Sequence, residues 1–167
     1  SEDGGSAGST GDDSFDDGGK TATKAVKEAI SLDSKANAGS YSQAYHNQDP
    51  FDMSNPKGDC SSLVYFSYKK AGENLSGNGG WTTHDLAASN KLKTIGSHGD
   101  NKDDVYKKIH VGDLIFWDTD GVDGHVGLAT SKGCIAWNTK RGIEQFSLKS
   151  SSYWWQHWRG HCMRLKE

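Results

Sequence analysis

The chain has 167 residues, enough for one domain with a tail, and no internal repeat is visible. Its 19 basic and 22 acidic residues give a net charge of −3, and hydrophobic residues make up only 33%. No apolar run is long enough to span a membrane, and no strong basic excess marks a nucleic-acid binder.

Residues 1–19 are acidic and rich in Gly and Ser, with six acidic side chains and no basic one before Lys20. Such a segment has little apolar area to offset its ordering entropy, so it reads as a flexible linker ahead of a domain over 20–167. Beyond Gly18 the balance becomes 19 basic to 16 acidic residues, or +3. That balance suits an anionic surface such as a wall, or merely a solvated surface of mixed charge. The chain opens on Ser1, with no leader sequence, and is read as a monomeric part of a longer modular protein.

In Lys20 to Lys35, Ala25, Ala29 and Leu32 recur near helical spacing, with Val26 and Ile30 alongside. A short leading helix is expected there. The stretch from Tyr41 to Gly58 holds both prolines and several turn formers, so it reads as a loop. A second helix follows in "CSSLVYFSYKKAG". Asp59 is its expected N-cap, Val64, Tyr68 and Ala71 give an amphipathic stripe, and Gly72 is the stop. A short helix is expected around Thr83 to Asn90, then a loop in "IGSHGDNKDD". From Val111 the pattern becomes strands: "DLIFWD", the hairpin "HVGLAT"–"SKG"–"CIAWNT", then "IEQFSL" and "HCMRL". Helices followed by strands predict an α+β fold, its antiparallel sheet packed on the second helix.

Three cysteines are available for chemistry. The cysteines have no C-x-x-C spacing and no His-x-x-x-His pair is expected on a helix, so a metal site is poorly supported, and no cofactor is implied. Cys134 and Cys162 both fall in expected strands and are the one pair worth keeping as a disulfide; two buried thiols are the simpler option. Cys60, at a helix N-terminus, is a small buried hydrophobe or a nucleophile. The helix dipole stabilises thiolate, whereas the neighbouring Asp59 opposes it. A histidine partner would complete the case, and His125 opens a strand of the sheet expected against this helix. Gly127 leaves the space around His125 uncrowded. A hairpin turning at Ser131 and Lys132 places His125 opposite Asn138, which could orient the imidazole; a slip of one residue would present Trp137 instead. Asn138 also suits a turn before "TKRG".

Taken together, "GDCSSLVYFSYKKAG", "VGDLIFWD", "GHVGLA", "RGIEQFSL" and "YWWQHWRGHCMRL" resemble, in that order, the NlpC/P60 family of cysteine peptidases. "YSQAYHNQ…GDCSSLVYF" is also similar to phage-lysin peptidoglycan hydrolases. The resemblance runs from about Tyr41 to Arg164. It implies a papain-like α+β fold with Cys60 as nucleophile, His125 as general base and Asn138 as the third polar group. Tyr41 or Tyr45 matches a tyrosine that shapes the site, and the interval from either to Cys60 is longer than usual. The D-C-S-G form is D-C-S-S here. Asp59, Ser61 and Trp81 are further candidates for contact with substrate, although Trp81 also suits a packing role. The other tryptophans read as packing, and His157 and His161 have no evident partner.

The implied activity is hydrolysis of an amide bond in peptidoglycan stem peptides, at the cell wall or outside the cell, in a bacterial or phage setting. A γ-D-glutamyl–diamino acid bond is the first choice. A muramoyl-L-alanine amidase or cross-bridge peptidase is second. A wall-binding module without catalysis, or acyl chemistry on a substrate other than the wall, also remains open.

Overall fold

The structure is a computed structural model that describes residues 11–167. Helix α1 spans Lys20–Asp33 and helix α2 spans Cys60–Lys70. Two single 3-10 turns, Gln43–Tyr45 and Pro50–Asp52, punctuate the loop between them. Short helix α3 (Thr83–Ala87), strand β1 (Leu92–Gly96) and short helix α4 (Lys102–Tyr106) follow. The rest is β2 (Leu114–Trp117), β3 (His125–Ala129), β4 (Cys134–Asn138), β5 (Gly142–Phe146), α5 (Ser152–His157) and β6 (Trp158–Leu165).

The six strands form one sheet in the order β1-β6-β2-β3-β4-β5, and every pairing is antiparallel. The expected α+β architecture is therefore present. Strand β1 and helix α4 take up the two ends of the expected loop, leaving residues 97–101 between them. The strand is visible only through its partner: Leu92, Lys93 and Thr94 pair with Leu165, Arg164 and Met163 of β6. A strand that needs its partner for half of its character carries a weak local signal.

Helix α2 lies between α1 and the β3–β4 hairpin. Every residue from Cys60 to Tyr68 is buried, so the stripe expected from its sequence is replaced by burial on all sides. Serines at 61, 62 and 67 make this possible by keeping its neighbours close. The helix stops at Gly72 in the left-handed region (φ 100°), as the sequence indicated.

Cys134 and Cys162 do not pair. They lie in β4 and β6, which β2 and β3 separate, and all three cysteines are buried free thiols. Across the same sheet, Asp113 is buried at the start of β2. Its carboxylate accepts from Arg164 Nε (2.7 Å), Arg164 Nη2 (2.8 Å) and the His110 N–H (2.9 Å). This fork ties β6 to β2 and is held against solvent screening by its burial.

The linker expected over 1–19 has two fates. Residues 1–10 lie outside the described residues. Residues 11–19 are docked. The N–H groups of Asp13 and Phe15 bond to the carbonyls of Lys132 and Ser131, and Asp16 bridges to His110. Phe15 packs edge-on to Tyr106 with ring centroids 5.3 Å apart. The buried Asp13 carboxylate accepts from Tyr106 Oη (2.5 Å) and from the N–H groups of Leu148 (2.6 Å) and Lys149 (3.3 Å). Acidity here serves as a hydrogen-bond acceptor for the sheet rim. Docking also changes the charge of the folded unit: residues 11–167 carry 20 acidic groups, the 22 less Glu2 and Asp3, against 19 basic.

Asp13→Ala would strand three donors and lower the free energy of unfolding by about 1–3 kcal/mol. A urea midpoint shifted at unchanged slope is the expected result; an unshifted midpoint would mean that the arm is free.

Candidate functional site

Helix α2 enters the protein interior by its N-terminus, so its first N–H groups need acceptors. Asp59 supplies them in a capping box. Its Oδ1 accepts from Ser62 N (3.0 Å), while Ser62 Oγ accepts from Asp59 N (2.8 Å). Its carboxylate also meets His46 Nδ1 at 3.0 Å. Gly58, just before, has no room for a side chain: a Cβ there would lie 2.7 Å from Trp137 Cζ3 and 2.6 Å from Ser62 Oγ. The chain is thus pressed against β4 just before Cys60.

Cys60 is the first residue of α2, and α2 packs on β3. Burial and the Asp59 charge push its thiol up to about 12. The Val126 N–H, the Tyr41 hydroxyl and the Ser61 N–H act in the opposite direction. The helix dipole alone therefore does not yield a resting thiolate here. Tyr41 stays protonated, raised first by burial and then by the charges of Cys60 and Asp59, and so remains a donor. Of the two tyrosines considered, Tyr41 faces the thiol. The Tyr45 ring lies under Lys57 Nζ, 5.5 Å from it, and lines neither hollow at the site.

His125 begins β3, paired with Trp117 of β2. The hairpin register is the one counted from the turn, with Ala129 opposite Cys134 and Leu128 opposite Ile135. That register brings Asn138 to His125, and Nε2 meets Asn138 Oδ1 at 2.8 Å. An amide oxygen only accepts, so Nε2 carries the proton and Nδ1 keeps its lone pair. Burial pushes the imidazole down to about 4, partly offset by the Asn138 bond and by Asp120 and Asp59.

Three neighbours of this pair were not singled out from the sequence. Trp154 of α5 stacks on the imidazole (5.5 Å, 21°), and Trp117 tilts against it at 5.7 Å. Glu144 of β5 is fully buried, and its Oε1 accepts from Asn138 Nδ2 at 2.7 Å. Its Oε2 lies 3.7 Å from Arg141 Nη1. A carboxylate can only accept, so it turns the Asn138 NH2 toward itself and the amide oxygen toward His125. The signal was present in "RGIEQFSL" as an acid among inward-facing residues, but its partner could be named only once the β4–β5 register was known.

Gly127 is crowded, contrary to the expectation. A Cβ there would stand 2.6 Å from Ile135 O and 3.1 Å from Trp117 Cζ3. Glycine permits the close pairing of β2, β3 and β4 that sets the position of His125.

Two hollows meet at this point. One, about 400 Å³, is lined by Cys60, Asp59, Ser61, His46 and Asn47 among others. The second, about 430 Å³, is lined by His125, Asn138, Asp118, Asp120, Trp154 and His157 among others. Tyr41, Gln43, Thr83 and Gly124 line both, so the two halves form one groove across the thiol and the imidazole. Trp81 is not in its wall. Its indole stacks on Tyr65 (4.2 Å, 7°), lies over His46 and donates to His46 O (3.1 Å), anchoring the loop behind Asp59. A larger hollow of about 690 Å³ lies between α1 and the N-terminal arm, and none of Cys60, His125 and Asn138 lines it.

The NlpC/P60 family model matches residues 26–163. The peptidoglycan DL-endopeptidase CwlO of Bacillus licheniformis is 31% identical over 117 residues, which is 70% of this chain and 23% of that protein. The chain thus spans about a quarter of that relative's length. Among solved structures, a lipoprotein-like NLP/P60 protein of Staphylococcus aureus superposes with a TM-score of 0.57 at 22% identity, covering 95% of this chain and 45% of that one. NlpC1 of Trichomonas vaginalis gives 0.52 at 18%, covering 89% and 45%. The NlpC/p60 domain of the peptidoglycan hydrolase SagA gives 0.50 at 19%, covering 87% and 98%. With the family model matching most of its length and the Cys60 helix seated on the antiparallel sheet, the chain belongs to the NlpC/P60 family and has its papain-like α+β fold.

Proposed function

We propose that this domain is a cysteine peptidase that hydrolyses an amide bond in the stem peptide of peptidoglycan. The observation that carries this reading is the Cys60 thiol at the mouth of a buried helix, in one groove with an imidazole that Asn138 holds by Nε2. The CwlO relative cleaves as a DL-endopeptidase by its name, which favours the γ-D-glutamyl–diamino acid bond. Amidase or cross-bridge cleavage is the second choice. The site of action is the wall or the extracellular space, and no helix among the described residues is long and apolar enough to cross a membrane.

Both reacting groups rest neutral in the buried site. The proton passes from Cys60 Sγ to His125 Nδ1 as sulfur attacks the scissile carbonyl, so charge separation appears only with the oxyanion. The Cys60 N–H and the protonated Tyr41 hydroxyl are the donors for that oxyanion. His125 then protonates the leaving amine, which departs as the thioester forms. Water, deprotonated by the same imidazole, releases the acid and restores the thiol. Asn138 fixes the tautomer, and Glu144 fixes Asn138. Ser61 and Asp59 border the thiol side of the groove and are its candidates for contact with substrate.

Wild type and Cys60→Ala are to be incubated with defined muropeptides and the products weighed by mass spectrometry. Wild-type product masses identify the bond, and Cys60→Ala forms none; equal turnover by both would sink the thiol mechanism.

Asp59→Asn keeps a capping oxygen for the helix. It removes the charge that, after burial, holds the thiol up, while Tyr41, His125 and His46 remain around it. The pH at which iodoacetamide alkylation of Cys60 rises therefore moves down. A move upward would show that the Asp59 charge does not govern the thiol.

Glu144→Ala frees the Asn138 amide to rotate and present its NH2 to His125. We expect kcat to fall by about tenfold, the rate equivalent of one hydrogen bond of about 1.4 kcal/mol, with KM little changed. Glu144→Gln, which retains an acceptor, recovers most of it. Equal loss in both variants would point to packing instead.

A further inference from the structure

A second cluster of side chains gathers around the β2–β3 connection, and one of its members, Asp118, also lines the groove. His98 comes from the β1–α4 loop, Asp118 and Asp123 from the β2–β3 connection, and His161 from β6. Asp123 Oδ1 lies 2.9 Å from His161 Nδ1 and 3.0 Å from His98 Nε2. The donor atoms of His98, Asp123 and His161 all fall within 4.8 Å of one another. Asp118 Oδ1 is 3.4 Å from His98 Nε2 and also accepts from the Asp123 N–H at 3.0 Å.

Three irregularities of the backbone bring these groups together. The register of β6 against β2 shifts between Ile115 and Trp117, and its register against β1 shifts between Thr94 and Gly96. His161 lies at that shift, beside Gly160 at φ 95°, and bulges of this kind re-aim a side chain. Asp123 itself has φ 54°, uncommon for a residue other than glycine. The His161 ring is then held flat on Phe116 at 4.7 Å and 23°, with His98 4.7 Å away.

We propose that His98, Asp123 and His161 bind a divalent transition metal of the zinc class, with Asp118 as the fourth ligand at hand. Two imidazoles and a carboxylate are a donor set that suits zinc and its neighbours over calcium or magnesium. In a tetrahedral site with bonds of about 2.0–2.1 Å, ligand atoms stand about 3.3 Å apart. The separations of 2.9 and 3.0 Å to Asp123 are a few tenths of an ångström short of that, and all three ligand atoms lie within 4.8 Å of one another, so side-chain adjustments of an ångström or so would bring the set to that geometry. Asp123 and His161 are buried and preorganised, whereas the His98 side chain is 36% exposed and gives an ion its way in. The ion would pin the β1–α4 loop, the β2–β3 connection and β6 together. The β2–β3 connection carries Asp118, Asp120 and Gly124 into the groove wall and leads into His125. The site is thus a staple behind the groove and takes no part in the thiol chemistry.

The test uses the untagged full chain carrying Cys60→Ala, because a thiol beside a histidine is itself a zinc ligand. Zn2+ alone is titrated by calorimetry, and Co2+ by visible absorption. One ion per chain is expected, with the cobalt spectrum of a four-coordinate site and a higher Tm in the loaded protein. His98→Ala, whose side chain is partly exposed, and Asp123→Asn, which keeps the size of the residue, each weaken binding at least tenfold. Circular dichroism of the metal-free variants shows that they are folded. Absence of saturable binding, or unchanged affinity in both variants, would overturn the proposal whether or not the wild-type chain hydrolyses peptidoglycan.

Discussion

A helix that starts inside a protein must have its leading N–H groups satisfied there, and the rest of this structure follows from how α2 meets that demand. Its first turn is buried, and the acceptors come from the chain. Asp59 and Ser62 satisfy each other across the capping box. Gly58 lets the chain lie against Trp137 at the same point. Once the helix mouth is fixed against β4, Cys60 has one place to go, facing the start of β3.

The same residue that makes this burial possible works against the chemistry expected at it. Asp59 caps the helix, and its charge holds the neighbouring thiol up. A site built this way does not store a thiolate. It holds thiol and imidazole neutral beside Tyr41, the Val126 N–H and the His125–Asn138–Glu144 line, and the proposed attack on a carbonyl would draw on those positions to move charge. In that line each group fixes the next one's orientation: carboxylate sets amide, amide sets tautomer, tautomer frees Nδ1. Placing the last member on a buried strand beside the hairpin removes the rotational freedom that a surface glutamate would have.

What the sequence revealed and what it hid divide along a physical boundary. The place of Cys60 at a helix mouth and the approach of His125 to Asn138 were legible because helix caps, hairpin turns and cross-strand register are local rules, and counting back from Ser131 is enough to pair 125 with 138; the roles proposed for the three rest on the family resemblance. Glu144, Trp154 and the partner of His161 were not legible. Their roles depend on the β4–β5 register, on α5 folding back over the sheet, and on shifts in the pairing of β6, none of which leaves a periodic trace. Strand β1 was not recognised, and its end was read as loop, for the same reason, since its pairing lies with the last strand of the chain. Residues 11–19 failed differently. Composition averaged over the segment concealed two residues, Asp13 and Phe15, whose individual partners dock it.

This division bears on how the fold tolerates change around its groove. The thiol, the imidazole and Asn138 sit on α2, β3 and β4, which are packed on both faces and locked by Gly58 and Gly127. The opposite wall, from Asp118 to Gly124, is a connection with two residues other than glycine in left-handed conformations, at Asp120 and Asp123. Strain of that kind persists only where surrounding contacts hold it. His84 Nε2 holds the connection at Val122 O (3.0 Å) from α3, and His161 and His98 hold it at Asp123 from the sheet side. Cys60, His125 and Asn138 are therefore held by packing, whereas the facing wall of the groove is held by a few polar contacts. Under the proposed activity, substitutions that alter which substrate fits would accumulate in that wall without moving the thiol.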